Sequence, residues 1–296
     1  LSCLALVKLL REAGLDEAWC QTFITDDVTL AEKFATDSRV AFLSFIGSAK
    51  VGWYLRSKLA PGARCALEHG GAAPVIIDRS AKLDALIEPV VKGGYYHSGQ
   101  VCVSVQRIYV HESLQAEFVE RLHARVAKLR VGDALGRDTE LGPLILPRET
   151  ERVTTWIDEA VAGGATLLGG GRVSATTLKP AVLVNPARDA KVSTLEVFGP
   201  VTCVYGYREV DEAIASANAL PWSFQASVFS SDVDAALYVG KRIDGAAVMV
   251  NDHTAFRTDW MPFAGHRQSG YGVGGIPFTM RDMSHEKMVV LKSPSL

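Results

Sequence analysis

Several features that would narrow the function are missing from this sequence of 296 residues. The five cysteines are widely spaced and form no CxxC pair, which argues against a disulfide framework or a zinc site and for reduced thiols in the cytoplasm. The formal net charge is only −2, so the electrostatic footprint of a nucleic-acid-binding protein is lacking. No apolar run reaches the length of a membrane span. Neither nucleic acid nor membrane is an expected partner, and no metal is expected because the histidines show no paired ligand spacing.

The chain does contain a regular alternation of helix-like and strand-like segments. Apolar side chains at helical spacing predict helices over residues 113–130 and 147–162, and short apolar runs between the helices predict strands. Among these strands we expect residues 18–24 and residues 40–46, the latter covered on both faces. Strands that alternate with helices in this way are typical of a doubly wound α/β fold. A second α/β lobe is expected to begin near Gly70.

A glycine-rich turn, Gly-Ser-Ala-Lys-Val-Gly at residues 47–52, separates the strand at 40–46 from the next predicted helix. Backbone N–H groups and a helix N-terminus at the end of a strand suit a pyrophosphate. The turn is not GxGxxG, and any tight strand-to-helix turn needs glycine, so a structural and a phosphate-binding interpretation stay equally open. A closer textual match lacks a strand-then-helix context and is not favoured; it comprises Gly270, Gly272, Gly274 and Gly275.

Two reactive side chains stand beside small residues at junctions between elements. Glu68 ends an apolar strand shortly before Gly70 and Gly71, so it is either a carboxylate exposed at a strand end or a general base on a flexible hinge. Cys102 follows Gly99 between a helix-like and a strand-like run, where a free N–H beside the sulfur would form half of an oxyanion site. From its neighbours alone a buried structural cysteine is the favoured interpretation. The rest of the chain reverses that preference.

Five motifs, in order along the whole chain, resemble those of the NAD(P)-dependent aldehyde dehydrogenase superfamily. They are Phe45-Ile46-Gly47-Ser48 with Gly52, Glu68-His69-Gly70-Gly71-Ala72-Ala73-Pro74, Gly99-Gln100-Val101-Cys102, Glu196-Val197-Phe198-Gly199-Pro200, and Pro262-Phe263-Ala264-Gly265 followed by Ser269-Gly270-Tyr271-Gly272. The resemblance implies a partial doubly wound, Rossmann-like cofactor lobe at residues 1–69 and an α/β catalytic lobe at residues 70–270. It also implies a tail with an oligomerisation strand at residues 271–296.

The resemblance implies a role for each motif. Cys102 would attack an aldehyde to give a thiohemiacetal and then a thioacyl-enzyme, and Glu68 would activate the water that releases the carboxylic acid. The residues implied to bind NAD or NADP are Gly47, Ser48 and Gly52 at the pyrophosphate, and Glu196 and Phe198 at the nicotinamide ribose. Because Glu68 does not prove hydrolysis, CoA stays open as an alternative acyl acceptor.

The chain also departs from the family pattern. His69 stands where leucine is usual, and Ala264 where a second glycine is common. The start, Leu1-Ser2-Cys3, shows no initiator Met and no signal peptide, and family members carry a large portion before this point. We therefore expect an N-terminally truncated member that lacks the second oxyanion donor and the adenosine-ribose contacts. Two functions stay open: an aldehyde oxidoreductase, or a non-catalytic fragment or oligomer subunit that keeps the fold without turnover.

Residues 253–260 resemble the equivalent stretch of lactaldehyde-type and semialdehyde-type members, which implies a small polar or anionic aldehyde as substrate. Arg257 and Arg107 could each bind a carboxylate or phosphonate through a bidentate fork, and His253 is a third candidate. Pairing of Arg257 with a neighbouring acid or with water is equally open. The apolar run at residues 287–291 is expected to pair as a strand with another chain in a homo-oligomer, a dimer or a tetramer.

Overall fold

Helices and strands alternate along residues 2–295, the range that the computed structural model describes. The strands are β1 (Phe42–Ile46), β2 (Arg64–Glu68), β3 (Ala73–Ile77), β4 (Val105–His111), β5 (Thr166–Gly169), β6 (Ala181–Val184), β7 (Val201–Tyr207), β8 (Trp222–Ser223), β9 (Gln225–Phe229), β10 (Ala247–Val250), β11 (His266–Arg267) and β12 (Gly270–Tyr271). The helices are α1 (Ser2–Glu12), α2 (Val28–Thr36), α3 (Ala49–Lys58), α4 (Leu83–Tyr95), α5 (Glu112–Val126), α6 (Pro147–Ala162), α7 (Lys191–Thr194), α8 (Val210–Asn218), α9 (Val233–Gly240) and α10 (Ile276–Asp282).

The described chain divides into two compact units. The first unit comprises the residues up to Leu43 together with Trp53–Arg64, and the second comprises Ser44–Gly52 and the chain from Cys65 onward. In the first unit, α2 begins where the Asp27 carboxylate accepts hydrogen bonds from the next available N–H groups, at 2.8 and 3.2 Å. Both the glycine-rich turn and the end of β2 belong to the second unit.

A seven-stranded sheet forms the centre of the second unit, in the order β10-β9-β3-β4-β7-β6-β5. Neighbouring strands from β10 to β6 run parallel, and β5 at the edge runs antiparallel to β6. Every residue of β3 and β9 is buried because helices cover both faces of the sheet. Helices α4 and α5 pack on one face, and α6, α8 and α9 on the other. The predicted doubly wound α/β class is confirmed.

The sheet brings distant parts of the sequence together at one end of its strands. Cys102 shortly precedes β4, and Glu196 shortly precedes β7. Since β4 and β7 are parallel neighbours, the segments that lead into them meet at the same end of the sheet. A second, three-stranded sheet has the order β1-β2-β12, and in it Glu68 lies opposite Gly270. The motif that begins at Glu68 is therefore tied to the motif at residues 262–272, called here the C-terminal signature.

Most predicted elements are confirmed, and α6 has the predicted bounds. The strand predicted at residues 18–24 is wrong: Asp16 accepts a hydrogen bond from the N–H of Ala18, which starts a 3₁₀ turn (Glu17–Trp19) and leads into an irregular segment. β1 is not covered on both faces, since its residues are half-buried or exposed. Residues 287–291 form no strand within residues 2–295. No helix in that range combines the length and the apolar character needed to cross a membrane.

Candidate active site

A cavity of about 430 Å³ in the second unit collects most of the residues singled out in the sequence. Those that line it are Gly47, Ser48, Glu68, Cys102, Glu196 and Phe198. The rest of the lining comes from Ile46, His69 and Gly70 and from three side chains of α6, Glu149, Arg152 and Trp156. The predicted nucleophile, the predicted base and the predicted cofactor turn therefore share one concave site.

Cys102 lies on a strained turn between α4 and β4. His97, Ser98 and Gly99 have φ angles of 51°, 59° and 71°, so consecutive residues adopt the left-handed conformation that only glycine enters freely. The Ser98 hydroxyl donates a hydrogen bond to the Gly142 carbonyl at 2.7 Å, which helps to hold the turn. Strain of this kind persists only where surrounding contacts enforce it, and it is concentrated at functional sites.

The Cys102 thiol is protonated at neutral pH. Burial is the main cause that raises its pKa to about 11, and the carboxylates of Glu196 and Glu68 raise it further. In the opposite direction, the backbone N–H groups of Cys102 and Val103 hydrogen-bond to the sulfur and lower its pKa. Such N–H groups are the donors that an oxyanion site requires. The thiol must lose its proton, or lose the neighbouring negative charge, before it becomes an effective nucleophile.

Glu68 sits at the end of β2 with its carboxylate against the C-terminal signature. A Cβ at Gly274 would overlap Oε1 of Glu68, so only glycine allows this approach. Burial raises the pKa of Glu68, and the positive charge of Arg257 partly opposes the shift. A carboxylate with a raised pKa beside a thiol is suited to accept a proton from water near neutral pH.

The carboxylate of Glu196 occupies a recess made by two glycines. Its Oε1 accepts a hydrogen bond from the N–H of Gly71 at 3.1 Å, and a Cβ at Gly70 would overlap it. Burial raises the pKa of Glu196 to about 7, while the Gly71 N–H and the charge of Arg152 lower it. Phe198, with φ of 48°, exposes 40% of its surface and presents its ring at the cavity. The Glu196 carboxylate and the Phe198 ring therefore both line this cavity.

Gly47 and Ser48 connect β1 to α3 at the cavity wall. The Ser48 carbonyl accepts hydrogen bonds from the N–H groups of Val51 and Gly52 at 3.1 and 3.0 Å, so the helix begins here. The first N–H groups of a helix have no intrahelical partner and favour a phosphate. Gly52 has different surroundings, because a Cβ there would overlap Nε2 of His69. The packing of His69 is sufficient to explain why residue 52 is glycine. Among residues 2–295, Gly52 is not one of those that line the cavity, so its predicted role at the pyrophosphate gains no support from this structure.

His69, at the position where the family usually has leucine, is anchored to the C-terminal signature. Its Nδ1 donates to the carbonyl of Gln268 at 2.9 Å, since a carbonyl can only accept. Its backbone N–H donates to the carbonyl of Ser269, also at 2.9 Å. The imidazole therefore packs between the first turn of α3 and the chain near residue 268.

The residues around this cavity fit a nicotinamide dinucleotide. The N-terminus of α3 offers N–H groups to phosphate oxygens, the Glu196 carboxylate can accept hydrogen bonds from ribose hydroxyls, and Phe198 offers an apolar ring to a flat heterocycle. Within residues 2–295 no group of three or more His, Cys, Asp or Glu side chains is placed to hold a metal ion.

Arg107 is not placed to bind a substrate, contrary to the prediction from sequence. It lies in the central sheet and is only 2% exposed. Its guanidinium donates to the carbonyl oxygens of Ala72, Ser216 and Ala217 at 2.8 to 3.1 Å. These bonds direct its donors to buried backbone, so Arg107 ties β4 to its neighbours and offers no free fork to an anion.

Arg257 and His253 have contrasting surroundings. Arg257 is exposed, packs its guanidinium 4.3 Å from the ring centroid of Phe263, and acts electrostatically on Glu68. His253 is buried, and its Nδ1 accepts a hydrogen bond from the N–H of Ala255 at 3.1 Å. Neither is among the cavity-lining residues of the described range. Arg257 keeps the exposure that a substrate-binding cation needs, and His253 does not.

Reasoning from sequence missed the wall formed by α6. Arg152 donates from Nε to Glu149 at 2.9 Å and from Nη2 to the Val197 carbonyl at 2.8 Å, and it lies 4.6 Å from the ring centroid of Trp156. The signal was the spacing of Glu149, Arg152 and Trp156, which places all three on one helix face. That spacing is equally typical of a solvated helix face, so it could not single out the site.

Comparison with known proteins assigns the family. The profile of the aldehyde dehydrogenase family matches residues 1–289. The 3-sulfolactaldehyde dehydrogenase of Priestia aryabhattai is 35% identical over 288 residues, which cover 97% of this chain and 60% of that protein. The lactaldehyde dehydrogenase of Methanococcus vannielii is 34% identical over 262 residues, which cover 88% of this chain and 56% of that protein. The chain belongs to the aldehyde dehydrogenase family.

A solved structure agrees with this assignment. The NADP-dependent glyceraldehyde-3-phosphate dehydrogenase of Bacillus halodurans, complexed with NADP, superimposes with a TM-score of 0.92 at 29% identity. The match covers 96% of this chain and 59% of that one. The chain therefore spans about three fifths of the length of the relatives that it matches.

Proposed function

We propose that the protein oxidises an aldehyde to a carboxylic acid with NAD⁺ or NADP⁺, through a thiohemiacetal and a thioacyl intermediate on Cys102. The observation that carries the proposal is the single cavity in which Cys102, Glu68, Glu196 and the turn before α3 meet. The family membership and the NADP-bound structural relative support it. In this proposal residues 1–69 belong to the dinucleotide-binding part, residues 70–270 to the catalytic part and residues 271–296 to the tail.

Acylation begins at the sulfur. The Cys102 thiol loses its proton to solvent, and the thiolate forms a bond with the aldehyde carbon while the carbonyl oxygen becomes an oxyanion. The N–H groups of Cys102 and Val103, which hydrogen-bond to the sulfur, are the proposed donors to that oxyanion. Bound NAD(P)⁺ supplies the acceptor for the hydride that leaves the carbon. The C=O bond then re-forms, and a thioester remains on Cys102.

Deacylation uses Glu68. Its carboxylate accepts a proton from water, and the resulting hydroxide adds to the thioester carbon. The C–S bond breaks, the thiolate returns, and the carboxylic acid leaves. The raised pKa of Glu68 favours this role because the group binds a proton more readily than an exposed carboxylate does. Water is therefore preferred to CoA as the acyl acceptor.

The proposed substrate is a small polar or anionic aldehyde. The relatives named above are dehydrogenases of 3-sulfolactaldehyde and lactaldehyde. Arg257, exposed and electrostatically coupled to Glu68, is the predicted cation that keeps access to an anionic group. Arg257→Met should raise KM for an anionic semialdehyde and leave KM for neutral lactaldehyde nearly unchanged. A preference of the parent chain for long apolar aldehydes would refute the substrate class.

A burst experiment tests the reaction. Glu68→Gln should release a burst of NADH or NADPH and then lose steady turnover, whereas Cys102→Ala should show neither phase. If both phases survive in Glu68→Gln, water is activated elsewhere. The alternative raised from the sequence is a chain that keeps the fold without turnover. That chain would be labelled by iodoacetamide at Cys102 and yet form no reduced cofactor with any aldehyde in a panel of small polar, anionic and long apolar aldehydes.

A homo-oligomer is part of the proposal. Residues 287–291 form no helix or strand, and their apolar side chains Met288, Val289, Val290 and Leu291 are exposed. An apolar segment without a strand partner tends to pair with another chain. Deleting residues 287–296 should lower the mass measured by light scattering, and an unchanged mass would count against the idea. The five cysteines, all within residues 2–295, form no disulfide with one another, which supports the proposed cytoplasmic location.

A further inference from the structure

Gln106 is buried in β4 and makes hydrogen bonds with both atoms of its amide. It is 4% exposed. Its Nε2 donates to the carbonyl oxygens of Val192 and Leu195 at 2.9 and 2.7 Å, and its Oε1 accepts from the N–H of Val197 at 2.9 Å. A side-chain amide is the group that can both donate twice and accept in this geometry.

The three partners of Gln106 bracket one functional segment. Residues 192–198 include Glu196 and Phe198, which line the cavity. Leu195 and Val197 are the direct neighbours of Glu196 in the chain, so the amide holds the backbone on both sides of that carboxylate. Gln106 also follows Cys102 by one short turn, and β4 carries it. The stretch from Cys102 to Gln106 therefore carries both the proposed nucleophile and the amide that holds the backbone beside Glu196.

Other contacts to this segment come from different elements. The indole N–H of Trp222 donates to the carbonyl of Thr194 at 3.1 Å, and Arg152 donates to that of Val197. Immediately after the segment, the carbonyl of Gly199 lies so close to Gly99 that a Cβ on Gly99 would overlap it. Trp222 and Arg152 each bond to one side of Glu196, whereas the amide of Gln106 bonds to the backbone on both sides.

We propose that Gln106 is a positioning residue, which fixes the Glu196 segment relative to Cys102 and thereby sets both the thiol's electrostatic surroundings and the nicotinamide end of the cofactor site. The inference rests on the proposed function for its cofactor part. Without the amide, the buried Glu196 carboxylate would leave the recess at Gly71 for solvent, and its raising effect on the pKa of Cys102 would fall.

The test replaces Gln106 by methionine, which keeps the length and cannot make the three hydrogen bonds. The matched control is Gln115→Met on α5, which loses a single hydrogen bond to Asn185 away from the cavity. Iodoacetamide labelling of Cys102 is followed from pH 7 to 11 without cofactor. We expect the Gln106→Met profile to shift to lower pH, and the control to match the parent chain.

Cofactor binding gives the second readout. NAD⁺ and NADP⁺ are titrated against each chain without aldehyde, and we expect Gln106→Met to weaken binding on the order of tenfold, as the loss of well-formed hydrogen bonds to the segment implies. An unchanged labelling profile together with unchanged binding would overturn the proposal. If the parent chain binds neither cofactor, the proposed function fails, and the labelling profile, which needs no cofactor, still decides the role of Gln106.

A milder variant guards against loss of the fold. If Gln106→Met does not fold, Trp222→Phe removes one hydrogen bond from the same segment, at the Thr194 carbonyl. It should shift the labelling profile in the same direction by a smaller amount. A folded Trp222→Phe chain with the parent profile would contradict the view that the position of this segment controls the thiol.

Discussion

The two compact units differ in how completely they bury their apolar side chains. In the second unit, β3, β9 and the helices beside them form continuous buried clusters on both faces of the sheet. In the first unit few side chains reach that state, and its exposed large apolar residues include Leu6, Leu9, Trp19, Phe23, Ile24, Val28 and Phe34. Both units are rich in apolar residues, so the difference lies in the surfaces available to cover them.

The electrostatics of the two units differ for the same reason. In the first unit, the Arg39 guanidinium hydrogen-bonded to the partly exposed Asp37 lowers the pKa of that carboxyl to about 2. In the second unit, burial raises the pKa of Cys102 to about 11 and that of Glu196 to about 7. Exposed ion pairs are screened by salt, whereas desolvation is not. The proposed catalytic chemistry therefore depends on the unit that can exclude water.

The largest expected effect on the free energy of unfolding comes from one of two matched leucine truncations. Leu122 on α5 is fully buried in the second unit, and Leu9 on α1 is 61% exposed in the first. Leu122→Ala should lower the free energy of unfolding by about 2–5 kcal/mol, and Leu9→Ala by under about 0.5 kcal/mol. Urea unfolding measures both. An equal loss for Leu9→Ala would mean that its apolar face is covered in solution, and would break the comparison.

A pH series on Glu196→Gln sharpens the electrostatic contrast. Because the folded pKa of about 7 lies above the ordinary value of 4.5, the folded state binds this proton more tightly than the unfolded chain. The resulting stability is fully present below pH 4.5 and is lost as pH rises through 7, roughly 3 kcal/mol in all.

Glu196→Gln should remove that part of the pH dependence when urea unfolding is compared at pH 5 and pH 8. The control is Asp37→Asn in the first unit, whose small effect should vanish in salt because its ion pair with Arg39 is exposed. A Glu196→Gln chain with the parent's pH dependence would show that the carboxylate is solvated.

The smallest predicted effect concerns the fit between Gly52 and His69. Gly52→Ala places a methyl group on the imidazole and should lower stability by about 1–3 kcal/mol. His69→Ala in the same chain should relieve most of that loss, which a double-mutant cycle measures. Gly240→Ala, where nothing lies within 4 Å, is the matched control and should be nearly neutral. Equal outcomes for Gly52→Ala and Gly240→Ala would disprove the contact.

Strong local patterns predicted their elements well. The strands β3 and β9, which are covered on both faces, read as short apolar runs. The amphipathic helix α6 begins at Pro147 and ends before Gly163, as its residues indicated. Residues 18–24 failed because strand propensity describes a half-buried surface, and no strand pairs with them within residues 2–295. Burial of β1 was overestimated for the same reason.

The site was predicted in part. Residues inside short motifs, such as Cys102, Glu68 and Glu196, do share one cavity. Arg107 was misjudged because charge alone cannot tell a free guanidinium from one bonded to buried carbonyls. The wall of α6 and the clamp at Gln106 depend on long-range contacts, which spacing in the sequence does not reveal.

The most direct test of the central claim is the location of the acyl group. The Glu68→Gln chain is incubated with lactaldehyde and NAD⁺ or NADP⁺, quenched in acid, digested and analysed by mass spectrometry. We predict the acyl mass on the peptide that contains Cys102, and none on the peptides of Cys3, Cys20, Cys65 or Cys203. Acid formation with the acyl group on another cysteine, or with no acylated thiol at all, would contradict the account.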